Sequence, residues 1–168
     1  PETREELIEE VAVDQAPHAD DPTLSVNDAA GSEDSSISLD LSSALTDSSE
    51  SLSITIDGVP GGASLSAGTD NGDGSWTLSA DDLQGLSITP AANDSNDFSL
   101  TVTATSTEGS DSASVSGTID VSVAAVADAP TLALDDAAGS EDGAIALDLS
   151  AGLTDGSEAL SITIDDVP

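Results

Sequence analysis

Carboxylates that return at a fixed spacing are the residues best able to do chemistry in this chain. Each member of one set recurs 108 residues later: Asp20 as Asp128, Glu33 as Glu141, Asp34 as Asp142, Asp47 as Asp155, and Glu50 as Glu158. Calcium takes about six to eight oxygen ligands in irregular geometry, so it suits such a set better than magnesium or zinc does. The spacing therefore predicts Ca²⁺ as the bound cofactor.

Catalysis finds little support in the same residues. His18 is the only histidine, it lies in the linker-like segment QAPHADDP, and cysteine is absent. A catalytic triad would need that histidine between a carboxylate and an activated serine. Carboxylate pairs of the glycosidase kind can be assembled, but Trp76 and Phe98 are the only aromatic residues available to stack a sugar. We therefore expect that this chain is not an enzyme.

Composition narrows the range of partners. The 168 residues include 34 Asp and Glu but one Lys or Arg, giving a formal charge of −33. Like charge repels such a chain from nucleic acid and from anionic membranes, which leaves metal cations as natural counter-ions. Acidic chains poor in aromatic residues are often disordered, but here 37% of the residues are hydrophobic and many alternate strictly. No apolar run could span a membrane, and PETREELIEE lacks the core of a signal peptide, so an export signal would lie outside this chain.

An internal repeat sets the domain boundaries. Residues Pro22–Pro60 match Pro130–Pro168 without a gap, at 28 of 39 positions. A period of 108 residues is a whole domain. We therefore predict a lead-in at 1–19, a complete repeat at 20–127, and at 128–168 a linker with the first third of a second, truncated repeat. The lead-in would include Val11 and Val13 as the possible last strand of a preceding repeat. One third of a sandwich would leave an apolar face and an open edge.

Apolar residues alternate at period two in about seven segments of the complete repeat, as half-buried strands require. These segments are Thr23–Val26, Ile37–Leu41, Leu52–Ile56, Trp76–Leu78, Leu86–Ile88, Phe98–Ala104 and Val115–Val123. Seven short strands in about 100 residues predict an all-β fold, an immunoglobulin-like Greek-key sandwich without the usual cysteine pair. Trp76 and Phe98 are then expected to anchor its core. Asn71-Gly72 predicts a hairpin turn, with a single calcium on Asp70 and Asp73 as the alternative.

The sandwich topology predicts where the repeated acids lie. The loop that carries Glu33 and Asp34 should share one end of a repeat with the loop that carries Asp94 and Asp97. The loop that carries Asp155 and Glu158 should lie at the opposite end of the next repeat, facing the first set across the linker with Asp128. An upstream joint would use Asp20, Asp47 and Glu50 in the same way. The alternative is that these acids only solvate loops and were kept by a recent duplication.

Several segments, in order, resemble one family. They are AVADAPTL with GSED, LTDGSEALSITIDDVP, GVPGGASLSAG, DNGDGSWTL and DFSLTVTATSTEG. Together they resemble the cadherin-like, immunoglobulin-fold tandem repeats of giant bacterial surface adhesins exported by type I secretion, the repeats-in-toxin adhesins. The likeness covers most of residues 20–168. Pro1–Glu10 has no counterpart in it, and the upstream linker departs from the pattern at His18 and Asp21.

The resemblance implies a role for the whole chain. Such repeats are extender modules of a secreted, cell-surface adhesin, whose calcium-filled linkers stiffen a rod that projects an adhesive tip and supports biofilm formation. Calcium ligation carries over to Asp128, Asp155 and Glu158, and more loosely to Glu33 and Asp34. The implied partners are neighbouring repeats and calcium, with the adhesion ligand bound elsewhere in the parent protein and no nucleic acid or membrane insertion. The alternative function is a module that binds carbohydrate or protein through its loops.

Overall fold

A computed structural model describes residues 16–168, which divide into two compact units with the boundary in sequence between Ala124 and Ala125. Within these residues there are thirteen strands and one short 3₁₀ helix, Asp81–Leu83. None of the described helices could cross a membrane. The strands of the first unit are β1 (Thr23–Val26), β2 (Ala29–Ser32), β3 (Ile37–Ser38), β4 (Leu41–Ala44), β5 (Ser51–Asp57), β6 (Ser64–Leu65), β7 (Thr69–Asp70), β8 (Trp76–Leu78), β9 (Ser87–Thr89), β10 (Phe98–Glu108) and β11 (Asp111–Ala124).

The first unit is an immunoglobulin-like β-sandwich. One sheet has six strands in the order β2-β11-β10-β5-β8-β7. A second sheet has three strands in the order β3-β9-β6, and β1 pairs with β4 in a third. Hairpins join β10 to β11 and β7 to β8, whereas β10 also pairs with the distant β5. This return of late strands beside an early one is the Greek-key pattern. The predicted fold class is confirmed.

Alternating aliphatic side chains fill the space between the sheets. Ile54 and Ile56 on β5, Val102 on β10 and Ile119 on β11 have no exposed surface. Their polar neighbours in sequence point outward, because successive side chains of a strand face opposite sides. Trp76 and Phe98 are half-buried and pack against this core. The alternation read from the sequence is therefore the pattern that builds the sandwich.

Two details of the strand prediction were wrong. Residues Ile37–Leu41 do not form one strand, because β3 pairs with β9 while β4 pairs with β1. Leu39 lies between them and donates its main-chain N–H to the carbonyl of Leu86, at 2.9 Å. The strand β2 was not predicted at all. Its sequence AAGS has no β-branched residue, and it exists because it pairs in parallel with β11.

The second unit contains fewer strands than its sequence predicts. It has β12 (Thr131–Leu134) and β13 (Leu149–Gly152), which pair antiparallel with each other. The segment ALSITID at 159–165 forms no strand, although SLSITID at 51–57 is β5 in the first unit. In the first unit that strand is held between β10 and β8. The same residues thus form a strand only where partner strands complete the ladder. Of the lead-in predicted at 1–19, residues 1–15, with Val11 and Val13, lie outside the described residues.

Gly58 occupies a tight turn after β5, and its replacement gives a testable prediction. Its φ is +86°, and a Cβ atom there would lie 2.7 Å from the carbonyl oxygen of Ser99. We expect Gly58→Ala to lower the free energy of unfolding by about 1 to 3 kcal/mol, because both strain and overlap must be relieved. Urea unfolding measured by Trp76 fluorescence would test this. Gly61→Ala is the control, since nothing lies within 4 Å of its added Cβ. Equal stabilities for both variants would contradict the prediction.

Candidate metal centre at the repeat ends

The linker that enters the first unit is held by a carboxylate from the loop before β5. The main-chain N–H of Asp20 donates to Oε1 of Glu50 at 2.5 Å, and the carbonyl of Asp20 accepts a hydrogen bond from the hydroxyl of Ser106. Glu50 is only 8% exposed, and Ser106 is fully buried. We call this contact between a linker aspartate and the glutamate thirty residues later the linker clasp.

The second carboxylate oxygen of Glu50, Oε2, is buried. Among residues 16–168, no hydrogen-bond donor reaches it. A buried carboxylate oxygen without a donor loses its hydration and gains nothing in return. A cation bound to this oxygen would offset that cost, because it supplies the missing positive charge.

The second unit builds the same linker clasp. The main-chain N–H of Asp128 donates to Oε1 of Glu158 at 2.6 Å, again across thirty residues. A threonine also bonds to the linker in both copies. Thr46 Oγ1 donates to the carbonyl of Asp21 at 3.2 Å, and Thr154 Oγ1 donates to the carbonyl of Ala129 at 3.5 Å. The same predicted contact therefore forms once in each unit, between Asp20 and Glu50 in the first and between Asp128 and Glu158 in the second.

Asp47 and Asp155 shape the loop beside each clasp. Oδ1 of Asp47 accepts the main-chain N–H of Ser49 at 2.9 Å, and Oδ1 of Asp155 accepts that of Ser157 at 2.8 Å. Hydrogen bonds from these serines hold the pKa of both aspartates below the usual value. Both groups are thus anionic at neutral pH. Asp155 is buried, whereas Asp47 is exposed.

Two acidic residues near the first clasp were missed by the sequence analysis. Glu108 and Asp111 flank the tight turn from β10 to β11. Oε2 of Glu108 accepts the main-chain N–H of His18 at 2.9 Å, and Oδ2 of Asp111 lies 3.0 Å from Nδ1 of the same histidine. The main-chain N–H of Ala19 also donates to Asp111, at 3.1 Å. The hydrogen bond from Ala19 lowers the pKa of Asp111 most, and the hydrogen bond from His18 lowers it further. These residues fix the linker but lie outside the repeated segment.

We predict that Asp111→Asn loosens the linker without unfolding the sandwich. Asp111 is on the surface, so its loss removes hydrogen bonds to His18 and Ala19 rather than core packing. Amide hydrogen exchange should become about tenfold faster at Ala19, since one charge-assisted hydrogen bond contributes roughly 1.5 kcal/mol. Asp120→Asn, another exposed change on β11, is the control. Unchanged exchange at Ala19 would contradict the prediction.

Glu33, Asp34 and Asp97 lie together at the opposite end of the first unit. The main-chain N–H of Glu33 donates to the carbonyl of Ala124 at 3.0 Å, and Oδ1 of Asp34 accepts the main-chain N–H of Asn93 at 2.9 Å. Oδ1 of Asp97 accepts the main-chain N–H of Val123 at 2.7 Å. The two predicted loops thus share the end where β11 leaves the sandwich. Glu33 is 1% exposed.

Glu141 and Asp142 repeat the sequence of that end but not its burial. Both are exposed in the second unit, whereas Glu33 is buried in the first. The backbone shape is kept, because Asp34 and Asp142 have φ values of 58° and 62°. In the first unit, Glu33 is hydrogen-bonded to Ala124 at the end of β11, and its neighbour Asp34 is hydrogen-bonded to Asn93. Residues 16–168 include no second copy of β11 or of this loop. The pairing of acids across the linker therefore stays a prediction.

The donor set fits calcium in chemistry but does not form a closed site. All candidate ligands are oxygen atoms, and one of them, Oε2 of Glu50, is buried without a donor. Across residues 16–168, no three side chains of His, Asp or Glu are grouped closely enough to hold a metal ion. A calcium ion would therefore draw on main-chain carbonyls and water as well as on these carboxylates, which is within its ordinary chemistry.

Trp76 lines a separate surface hollow in the first unit. This hollow of about 410 Å³ is bounded by Pro60, Gly72, Asp73 and other loop residues. Oδ1 of Asp70 accepts the N–H of Gly72 at 2.8 Å, and Oδ1 of Asp73 accepts that of Ser75 at 3.0 Å. Asp73 is used within the turn, and hydrogen bonds from Ser75 lower its pKa. These contacts favour the hairpin over a calcium loop.

Comparisons with known proteins add little to this description. No protein-family model matches the chain. No curated protein sequence matches it either. Among solved structures, it is similar to one described as a chimeric titin Z1Z2 functionalized with a KLER exogenous peptide from decorin. The sequences are 18% identical, the match covers 67% of this chain and 100% of that one, and the TM-score is 0.31. The fold assignment rests on the strand order given above.

Proposed function

We propose that this chain is a non-catalytic extender segment of a large secreted bacterial adhesin. Calcium bound at the linkers between repeats would stiffen it, so that a series of repeats projects an adhesive tip from the cell surface. The observation that carries this proposal is the linker clasp, which is built twice and leaves one buried oxygen of Glu50 without a donor.

Ligation would involve the two ends of each repeat. Glu50 and Asp47, with Asp20, would supply the entry side of one joint, and Asp128, Asp155 and Glu158 that of the next. Glu33 and Asp34, with Asp97, would supply the exit side. Calcium would provide a compact positive charge that bridges carboxylates from both sides. Without it, the acids would repel one another, since the chain has a net charge of −33.

Secretion agrees with this mechanism. Calcium is scarce in the cytosol and abundant outside the cell, so ion binding would contribute folding and stiffness only after export. A ligand that binds the folded, stacked form shifts the equilibrium toward it. The chain needs no disulfide for this purpose and contains no cysteine.

Residual dipolar couplings test whether calcium stiffens the linker. In millimolar calcium, we expect residues 16–124 and residues 125–168 to share one alignment tensor. In excess chelator, the two tensors should differ in magnitude and direction. Two independent tensors under both conditions would contradict an extender role, even if calcium binds.

A second candidate function is recognition of a carbohydrate through the hollow beside Trp76. It is favoured by the half-buried ring of Trp76, which lines the hollow together with Asp70 and Asp73. An aromatic ring can stack against a sugar, and carboxylates can accept hydrogen bonds from its hydroxyl groups. Binding to a glycan array that is lost in Trp76→Ala, with an unchanged circular dichroism spectrum, would support it. Binding that survives the substitution would exclude this hollow as the site.

A further inference from the structure

Both aromatic residues of the chain line neighbouring hollows on the first unit. Trp76 lines the hollow of about 410 Å³, and Phe98 lines a second one of about 180 Å³. Pro60 and Ala63 line both hollows, so the turn that contains them is a wall that the two share. Trp76 and Phe98 are also the only aromatic residues in the sequence. We call the two together the paired hollows.

Carboxylates accompany the aromatic ring in each hollow. Asp70 and Asp73 line the larger one, and Asp94 and Asp97 line the smaller one. Hydrogen bonds from the side chain and then the main chain of Ser75 hold the pKa of Asp73 below its usual value, so this group is anionic at neutral pH. Residues 16–168 contain no lysine or arginine that could neutralise these acids. An aromatic ring beside carboxylates favours a ligand that carries positive charge.

The walls of the paired hollows are held by their own main-chain hydrogen bonds. The N–H of Val59 donates to the carbonyl of Gly74 at 3.0 Å, and the N–H of Ala63 donates to the carbonyl of Pro60 at 3.0 Å. A site that is formed before its ligand arrives loses less entropy on binding. The same bonds occupy main-chain groups that an extended peptide would need for strand addition. The walls therefore favour a small or chain-like ligand that is recognised by side chains.

The division into two hollows favours a ligand made of repeated rings. The larger hollow falls within the ordinary range for small-molecule sites, about 300 to 1,000 Å³. An oligosaccharide presents successive rings, so one ring can stack on Trp76 while another reaches Phe98. The carboxylates repel an anionic sugar chain and offer a neutral one no charge attraction. An amino sugar chain is attracted at both hollows.

We propose that the paired hollows bind an oligosaccharide whose sugars carry free, protonated amino groups. One ring stacks against Trp76 and places its ammonium group toward Asp70 and Asp73. A second ring lies against Phe98 and places its ammonium group toward Asp94. This inference rests on the carbohydrate-binding candidate function and names its class of sugar, and it does not depend on the extender role.

The test titrates the chain with a tetrasaccharide of β-1,4-linked glucosamine in buffer without added calcium. A mildly acidic pH keeps the amino groups protonated and the carboxylates ionised. Fluorescence of Trp76, the only tryptophan, reports on the larger hollow directly, and we expect a saturable change. Asp73→Asn and Asp94→Asn should each weaken binding by about fivefold. Asp81→Asn removes the same charge at an exposed position that lines neither hollow, and it should bind as the parent does.

Phe98→Leu tests whether the two hollows act together. Leucine keeps an apolar side chain against the core but removes the aromatic ring. The variant should bind the tetrasaccharide about fivefold more weakly, because one stacking contact is lost. Its binding of single glucosamine, which needs only the hollow of Trp76, should equal that of the parent. Equal loss for both ligands, or for neither, would contradict a shared site.

The N-acetylated tetrasaccharide keeps the rings but lacks the charge, and it separates this inference from the function on which it rests. If it binds as tightly as the amino form, the inference is wrong and the carbohydrate candidate stands. If neither tetrasaccharide binds, both are wrong. Binding that Asp73→Asn leaves unchanged would place the ligand elsewhere. Equal binding of a lysine peptide of the same charge, or equal weakening by Asp81→Asn, would show that net charge alone attracts the ligand.

Discussion

Glu50→Gln is expected to remove most of the stabilisation that calcium gives the first unit. Calcium at 100 times its dissociation constant stabilises a folded state by about 2.7 kcal/mol, which raises the melting temperature of a small domain by roughly 10 to 20 °C. Glutamine keeps an oxygen that can accept the hydrogen bond from the N–H of Asp20. It removes the negative charge of the carboxylate and the buried Oε2 to which calcium would bind. In chelator, the variant should melt at or above the parent temperature, because a costly buried charge is gone.

The control for this variant is Asp81→Asn, followed in calcium and in chelator. Asp81 lies in the first turn of the 3₁₀ helix and is not part of the linker clasp, and its replacement also removes one negative charge. It should keep the full calcium response. Equal responses in Glu50→Gln and the parent would show that the clasp does not bind the ion.

We expect Ile54→Ala and Ile162→Ala to lower the free energy of unfolding by very different amounts, although each isoleucine lies in the same sequence, LSITID. Ile54 has no exposed surface, whereas Ile162 is 51% exposed. Truncating a buried isoleucine leaves a cavity and lowers the free energy of unfolding by about 2 to 5 kcal/mol. Truncating an exposed one should change it by about 0.5 kcal/mol or less.

Urea unfolding measured by two probes separates these variants. Far-ultraviolet circular dichroism reports the whole chain, while fluorescence of Trp76, the only tryptophan, reports the first unit. Ile54→Ala should lower the midpoint by both probes, and Ile162→Ala by neither. A large loss by circular dichroism in Ile162→Ala would contradict the prediction, because it would mean that the second unit buries this residue in solution.

The sequence allowed the sandwich to be predicted because its core residues alternate. Leu52, Ile54 and Ile56 specify both a strand and the side of it that is buried. Strand β2 gave no such pattern, since its residues AAGS pack weakly and its place depends on β11. Residues 159–165 show the converse, because a strong pattern forms no strand without a partner strand. Local sequence therefore predicts which face is buried better than it predicts whether a ladder forms.

The candidate site was predicted in part for a similar reason. The repeat marks Glu50 and Glu158 by their equal distance from the linker aspartates, and the structure places both pairs in contact. Glu108 and Asp111 carried no comparable signal, since their turn has no second copy in the chain. Only the pairing of β10 with β11 brings them to His18. Sequence spacing identified the repeated contacts, and tertiary structure was needed for the others.

The most direct test of the central claim is the thermal unfolding of this chain in three solutions. Circular dichroism would follow it in millimolar calcium, in excess chelator, and in magnesium at the same concentration and ionic strength. The account predicts a rise of about 10 to 20 °C in calcium alone, since magnesium demands a smaller and more regular shell of ligands. The same melting temperature in all three solutions would contradict it and leave the repeated carboxylates as solvating loop residues.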